Sequence, residues 1–123
     1  MLNRLCGRVT IVGVGDRTRG DDGVGPMVVG LLIERGLEHV INAESSPELE
    51  TWRIRESEPD TVLFVDAVDF GGSPGDVALL ESNQLRSSGF DTHRAPLRLT
   101  MQYLEAELGS KCYMLAVQPA DVR

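Results

Sequence analysis

The chain has 123 residues, of which 41% are hydrophobic and 25% charged, and its formal net charge is −7. This length favours a single domain over residues 1–123 and is sufficient to bury a hydrophobic core. The acidic balance argues against nucleic acid or an anionic membrane as a partner, and the absence of a signal peptide and of a long apolar run predicts a cytoplasmic protein.

Strand-like and helix-like segments alternate in the first half of the chain. Arg8 to Val12 is predicted to be a strand, and Val24 to Arg35 a helix that ends before Gly36. The apolar residues predicted to face the sheet from this helix are Val28, Leu31 and Leu32. A short strand follows at His39 to Ala43. Ser45 to Glu48 (SSPE) matches a capping box, which predicts a short helix through Leu49, Trp52 and Ile54.

The second half contains the clearest strand, Thr61 to Val65, whose continuous apolar run is typical of a strand buried on both faces. After a turn at Gly71 to Gly75, Asp76 to Leu80 is predicted to be an edge strand. A Ser-, Gly- and Asp-rich loop then leads to a helix that begins at Pro96 and ends at Gly109, with its apolar stripe formed by Leu97, Met101, Leu104 and Leu108. Tyr113 to Val117 is the last predicted strand. This order predicts an α/β three-layer sandwich, with helices on both faces of a mostly parallel sheet of about five strands.

The glycine-rich segment Gly13 to Gly23 (GVGDRTRGDDG) follows the first predicted strand, where α/β proteins often bind phosphate. It does not fit the dinucleotide pattern G-x-G-x-x-G, because Thr18 occupies the third glycine position. It has the glycine spacing of a P-loop, but Asp21 and Asp22 replace the Lys and the Ser or Thr. Two carboxylates would repel a nucleotide's phosphates, so no nucleotide cofactor is predicted.

Acidic and imidazole side chains are grouped near the ends of predicted strands: Asp21 and Asp22, Asp66 and Asp69, and Asp91 and His93. Ligand sites in open α/β sheets form beyond the carboxyl ends of the strands, so this grouping indicates a cation site. Carboxylate with imidazole suits a transition metal such as nickel or zinc. A simpler interpretation also exists, since an aspartate before a helix can be its cap and His93 can be an ordinary loop residue. The residues alone leave both interpretations open.

Four segments, in order and at compatible spacing, resemble the hydrogenase maturation endopeptidases. Gly13 to Gly25 (GVGDRTRGDDGVG) is similar to that family's G-x-G-N-x-x-x-x-D-D-G-x-G in all but the Asn. Val65 to Asp69 (VDAVD) matches V-D-A-x-D, Thr92 to Leu97 (THRAPL) matches T-H-x-x-P-L, and Gln118 and Pro119 match a terminal Q-P. The segment SSPE further resembles the subgroup that processes hydrogenase-3-type large subunits. The resemblance covers nearly the whole chain.

The resemblance implies an endopeptidase that removes the C-terminal extension of a nickel-iron hydrogenase large-subunit precursor after nickel insertion. It also implies that Asp22, Asp66 and His93 contact the nickel, and these three are predicted as both metal-contacting and catalytic residues. The nickel would be carried by the precursor and not permanently bound, since three ligands with open positions suit a transient complex. The metal would polarise either the scissile carbonyl or a water molecule, and the sequence leaves that choice open.

Further predictions concern residues expected to support the site or to help bind the precursor. Asp69 is expected to be structural or to support the metal contacts, and Asp21 to begin the following helix. Asp16 replaces the family's Asn, and this change is expected either to alter local hydrogen bonding or to add charge near the cleft. Either Trp52 or Phe70 is expected to help dock the precursor, although Trp52 fits a core position equally well. The resemblance also implies a closing helix after Gln-Pro that this sequence, which stops at Arg123, is expected to lack.

The sequence also bears on other classes of nucleophile and of protein. The sequence has neither a G-x-S-x-G elbow nor an HExxH helix, and Cys6 and Cys112 are predicted to be reduced structural thiols outside the site. One alternative function is a relative that binds the precursor without cutting it. Another is a phospho-acceptor receiver domain, in which Asp66 would accept the phosphoryl group beside Mg²⁺.

Overall fold

Five strands form a single sheet in the order β2-β1-β3-β5-β4. The structure, a computed structural model, describes residues 7–15, 24–44, 46–87 and 95–119. The strands are β1 (Val9–Val14), β2 (Val40–Glu44), β3 (Thr61–Ala67), β4 (Val77–Glu81) and β5 (Lys111–Val117). β4 pairs antiparallel with β5, and the other pairs are parallel. The predicted α/β fold with a mostly parallel sheet of five strands is confirmed.

Helices cover both faces of this sheet. They are α1 (Val24–Glu34), a 3-10 helix (Pro47–Glu50), α2 (Thr51–Glu56), α3 (Gln84–Ser87) and α4 (Ala95–Leu108). Val28 of α1 packs on one face, whereas Ile54 of α2 and Met101 of α4 belong to the core cluster on the other. Within the described ranges, no helix is both long and apolar enough to cross a membrane.

β3 is the centre of the sheet and of the core. All seven of its residues are buried, as its continuous apolar sequence predicts for a strand covered on both faces. Because side chains alternate along a strand, Val62 and Phe64 join the cluster beneath α2 and α4, while Leu63 and Val65 join the cluster beneath α1. The strand therefore links the two halves of the hydrophobic core.

α4 follows the predicted pattern closely. Leu97, Met101 and Leu104 are almost completely buried, and Leu108 packs at the edge of the same cluster. The helix ends where Gly109 adopts φ +68°, a conformation that glycine adopts without steric cost. The apolar stripe and the helix end were thus both correctly predicted.

The predicted sheet-facing side of α1 is partly wrong. Leu31 is 53% exposed, whereas Val29, which was not in the predicted set, is 1% exposed. Val28 does pack against the core cluster, as predicted. The helix is apolar on nearly all sides, with the sequence VGPMVVGLLIE, so its hydrophobic residues do not define its rotation.

Two other local predictions need correction. The 3-10 helix begins after Ser46, one position later than the capping box predicts, and the Ser46 side chain makes no capping hydrogen bond; Pro47 is in the first turn. Ser45 lies outside the described residues. The short helix α3 falls in a segment that was predicted to be a loop, because four residues are too few to show helical periodicity.

Candidate active site at the sheet edge

The connections in this sheet reverse direction between β1 and β3. From β1 the chain passes through α1 to β2 on one side, then through α2 to β3 on the other side of β1. The two connecting helices lie on opposite faces, so β1 and β3 flank a topological switch point. Such switch points are where doubly wound α/β proteins bind their ligands.

Asp66 lies at this switch point and is completely buried. The residue before it, Val65, is in register with Gly13 of β1, and Asp66 itself is in register with Ala116 of β5. By strand alternation it shares a sheet face with Phe64, the face covered by α2 and α4. The structure therefore puts this predicted site residue at the carboxyl end of the central strand.

Two glycines bring α1 unusually close to the strand ends. A Cβ on Gly25 would collide with the backbone oxygens of Val14 and Val65, and one on Gly13 would collide with Val29 and with the backbone of Gly25. The first turn of α1 therefore packs directly on the carboxyl ends of β1 and β3. Gly13 and Gly25 are the outer glycines of the Gly13–Gly25 motif, so the motif has a packing role besides any chemical one.

The ends of β1 and β2 are joined by a short hydrogen bond. The Gly15 amide donates to the Glu44 carbonyl at 2.6 Å, and Glu44 adopts φ 52°, which is uncommon for a residue other than glycine. The Glu44 amide in turn donates to the Asn42 side chain at 3.2 Å. Sequence reasoning did not single out Glu44, and its spacing carries no signal that could have done so.

The turn that follows Asp66 is held by Gln118. The buried Gln118 side chain accepts hydrogen bonds from the amides of Phe70 (2.9 Å) and Gly72 (3.0 Å), and its Nε2 donates to Asp69 Oδ1 at 3.0 Å. Asp69 also accepts from the Gly71 amide at 3.1 Å. These bonds give Asp69 a structural role and connect the V-D-A-x-D and Q-P motifs. We call this arrangement of residues 69–72 and Gln118 the glutamine clamp.

The direction of α4 brings its first turn to the same edge. Its last residue, Leu108, is separated from β5 by only Gly109 and Ser110, so the helix ends beside the amino edge of the sheet. Fourteen residues of helix extend for about 21 Å, roughly the length of a seven-residue strand. Ala95 therefore lies at the carboxyl edge, as does the 3-10 helix that follows β2.

Of the predicted ligands, only Asp66 is among the described residues. Asp22 and His93 lie outside them, as do Asp16, Asp21 and Asp91. In sequence, Asp22 comes two positions before α1, and His93 two positions before α4. Among residues 7–15, 24–44, 46–87 and 95–119, no group of three His, Cys, Asp or Glu side chains is arranged to hold a metal ion.

Cys112 has the properties of a structural thiol. It is 2% exposed, and burial, with a smaller contribution from the Glu105 carboxylate, raises its pKa from 9.0 to about 12. A thiol with such a pKa is protonated at neutral pH and is a poor nucleophile. Cys6 is outside the described part of the chain.

The docking residues suggested by the sequence differ in exposure. Trp52 is 58% exposed, so it is a surface residue and not part of the core. Phe70 is half-buried and packs against the main core cluster, which leaves little of it for a partner.

The fold separates this chain from receiver domains. Receivers of the CheY type have the strand order 2-1-3-4-5 in a parallel sheet, whereas here β5 lies between β3 and an antiparallel β4. The fold, with Asp66 at its topological switch point, defines a doubly wound α/β protein.

Comparison with known proteins identifies the family. The family model described as hydrogenase maturation protease matches residues 32–123. The hydrogenase 3 maturation protease of Escherichia coli K12 is 32% identical over 109 residues, which cover 86% of this chain and 69% of that protein. The chain therefore belongs to the hydrogenase maturation proteases and is a peptidase.

Solved structures agree with this assignment. The [NiFe] hydrogenase maturation protease HycI of Thermococcus kodakarensis superimposes with a TM-score of 0.83 and 33% identity, covering 91% of this chain and 74% of that one. The endopeptidase HycI of Escherichia coli gives a TM-score of 0.79 and 28% identity, covering 94% and 75%. The family resemblance that the motifs indicated is confirmed.

Proposed function

We propose that this peptidase removes the C-terminal extension of a nickel-iron hydrogenase large-subunit precursor, and that it recognises nickel already bound to that precursor. The single observation that carries the nickel-dependent part is Asp66. Burying an ionisable carboxylate costs far more free energy than burying an apolar side chain, so a fully buried aspartate at a switch point is a mark of function.

The proposal assigns the metal contacts to Asp66, Asp22 and His93. Asp22 and His93 each come two positions before a helix, and both of these helices begin at the carboxyl edge where Asp66 lies. Two carboxylates and an imidazole are a suitable donor set for nickel. When bound, the metal would supply Lewis acidity at the scissile carbonyl or at a water molecule.

The surrounding residues would hold this site in shape. Gly13 and Gly25 allow α1 to pack against the ends of β1 and β3, and the glutamine clamp fixes the turn after Asp66. We assign Asp69 to this supporting role and not to the metal contacts. The metal would arrive with the precursor and leave with the processed subunit, so nickel is treated as part of the substrate.

The test is cleavage of a nickel-loaded precursor by purified variants. Asp22→Asn, Asp66→Asn and His93→Ala are each expected to lower the cleavage rate by about a hundredfold or more, since each removes a ligand. Glu107→Gln, an exposed acidic position near the other end of α4, is the matched control and should cleave normally. Circular dichroism would verify that every variant is folded.

Three results would contradict the proposal. Full processing by the Asp22→Asn, Asp66→Asn double variant would show that these two aspartates are not the metal contacts that cleavage requires. Equal cleavage of nickel-free and nickel-loaded precursor would show that the enzyme does not recognise nickel, although it would still be a peptidase. Binding of the precursor without cleavage, by wild-type protein, would favour the non-cutting alternative instead.

A further inference from the structure

An apolar groove runs between the 3-10 helix with α2 on one side and α4 on the other. It encloses about 460 Å³ and is lined by Glu48, Thr51, Leu99, Thr100 and Tyr103. Leu99 is 58% exposed and Tyr103 is 44% exposed, so the groove leaves large apolar side chains open to solvent. Leu49 and Trp52, at 69% and 58% exposed, form the next row on the same helical segment.

At one end of the groove, Arg55 contacts the tyrosine that lines it. Arg55 Nη2 donates to the Tyr103 hydroxyl at 2.6 Å, and the guanidinium carbon lies 6.0 Å from the centre of the tyrosine ring. This contact holds the ring in position before any partner binds. A pre-ordered aromatic side chain loses little entropy on binding and makes an effective anchor.

The other end of the groove points toward the candidate active site. Leu99 lies near the first turn of α4, and Glu48 lies in the 3-10 helix after β2, both close to the carboxyl edge of the sheet. Asp66 is on the sheet face that α2 and α4 cover. The groove and Asp66 are therefore on the same side of the sheet, so a polypeptide bound at the candidate site can reach the groove without crossing the sheet.

The charge of the groove restricts its partner. Among the five described lining residues, Glu48 alone carries a charge. Arg53 is paired with Glu50 at 2.7 Å, and Arg55, which contacts the neutral Tyr103 hydroxyl, keeps its positive charge at that end of the groove, so the negative end of the groove is at Glu48. With the chain's net charge of −7, this favours a segment that combines apolar side chains with a lysine or arginine.

We infer that the groove binds the precursor's C-terminal segment next to the cleaved bond, through an apolar side chain on Leu99 and Tyr103 and a basic side chain on Glu48. The inference rests on the proposed function and adds a specificity site to it. The groove would determine which precursor is processed, while the residues at the sheet edge carry out the cleavage.

The test compares two exposed leucines on opposite faces of the molecule. Leu99→Gln changes the groove, and Leu31→Gln on α1, 53% exposed in the wild type, is the matched control. A fluorescently labelled synthetic peptide with the sequence of the precursor's C-terminal extension and the residues before it would be titrated with each variant. Leu99→Gln should raise the Kd by about tenfold, because it loses apolar burial, and Leu31→Gln should not change it.

Charge reversal provides a second, independent measurement. Glu48→Lys should raise the Kd for the wild-type peptide and reduce its dependence on salt. A peptide whose basic residue is replaced by glutamate should recover affinity for Glu48→Lys but bind the wild-type protein weakly. With the full precursor, both groove variants should raise KM and leave kcat within about twofold, since the cleavage residues are unchanged.

The outcomes separate this inference from the proposed function. If the wild type cleaves the precursor but Leu99→Gln and Glu48→Lys bind the peptide normally, the groove inference is wrong and the proposed function stands. If light scattering shows a wild-type dimer that Leu99→Gln dissociates, with no change in peptide affinity, the groove is a self-association surface and the inference is again wrong. If the wild type does not cleave the precursor, the proposed function is wrong. The peptide titration then still shows whether the groove binds the C-terminal segment.

Discussion

The absence of a side chain at Gly25 determines how closely α1 can approach the strand ends. A Cβ there would meet the carbonyl oxygens of Val14 and Val65, which cannot move without disturbing β1 and β3. Around Gly30, five positions further along the same helix, no described atom outside the neighbouring helical backbone lies within 4 Å of the place its Cβ would occupy. One helix thus contains a glycine required by packing and a glycine that is not.

We predict opposite effects of alanine at these two glycines. Gly25→Ala should lower the free energy of unfolding by about 1–3 kcal/mol or prevent folding, because the collision is with backbone. Gly30→Ala should be neutral or raise it by up to about 1 kcal/mol, since alanine has the higher helix propensity. Urea denaturation measures both, and equal effects would show that α1 does not pack against the strand ends as described.

At the scale of secondary-structure elements, the most accurate predictions were for the helix and the strand with the clearest hydrophobic patterns. α4 has one clear apolar stripe, and β3 is apolar along its whole length, so both were located within a few residues. The rotation of α1 was predicted less well because the helix is apolar on nearly all sides. Its orientation depends on the contact of Val29 with Gly13, which sequence spacing does not reveal.

The candidate site could be predicted only where its position follows from a local sequence pattern. Asp66 comes directly after the apolar run Thr61 to Val65 and lies near the end of β3, so its position at the carboxyl edge could be inferred. The glutamine clamp could not, because Gln118 and Phe70 are 48 positions apart and meet only once β3 and β5 are paired. The terminal Q-P segment carried a family resemblance but no indication of its structural role.

We predict that the glutamine clamp keeps the turn after β3 ordered. Gln118→Ala removes the acceptor for the Phe70 and Gly72 amides and should lower the free energy of unfolding by about 1–3 kcal/mol. Hydrogen exchange of those two amides should accelerate more than exchange in α4. Gln102→Ala, in α4, is the control and should leave both amides protected.

A second substitution at the same position tests the donor side of the clamp. Gln118→Glu keeps an acceptor for the two amides but places a second carboxylate against Asp69, where the wild type has a donor at 3.0 Å. Its stability relative to wild type should therefore be lower at pH 7 than at pH 4, where carboxylates begin to be protonated. A difference in stability that does not change with pH would contradict the donor assignment.

For the molecule as a whole, the buried thiol of Cys112 makes the free energy of unfolding depend on pH in the alkaline range. Its pKa is about 12 in the folded protein, against 9.0 for an unperturbed thiol, so the unfolded chain loses this proton first as pH rises. The folded state therefore binds more protons between these values. The contribution of Cys112 to stability is complete below pH 9.0 and is lost as pH rises toward 12.

We predict that Cys112→Ala reduces this alkaline loss. The variant should be less stable than wild type at pH 7, because it leaves a cavity, but its unfolding free energy should fall less between pH 9.0 and the highest pH at which unfolding is reversible. Cleavage activity at neutral pH should be unchanged, since the thiol is outside the proposed site. Identical pH profiles would show that the thiol does not remain protonated in the folded protein.

The central position of β3 also has a consequence for biosynthesis. Val62 pairs with Thr10 on one side and with Cys112, fifty positions later, on the other. While the chain is being translated, one edge of its most apolar strand stays open until residues 111–117 have emerged from the ribosome. Distant pairings of this kind slow folding and leave an unpaired strand available for mispairing. The nascent chain should therefore need protection at this strand before the enzyme can act on any precursor.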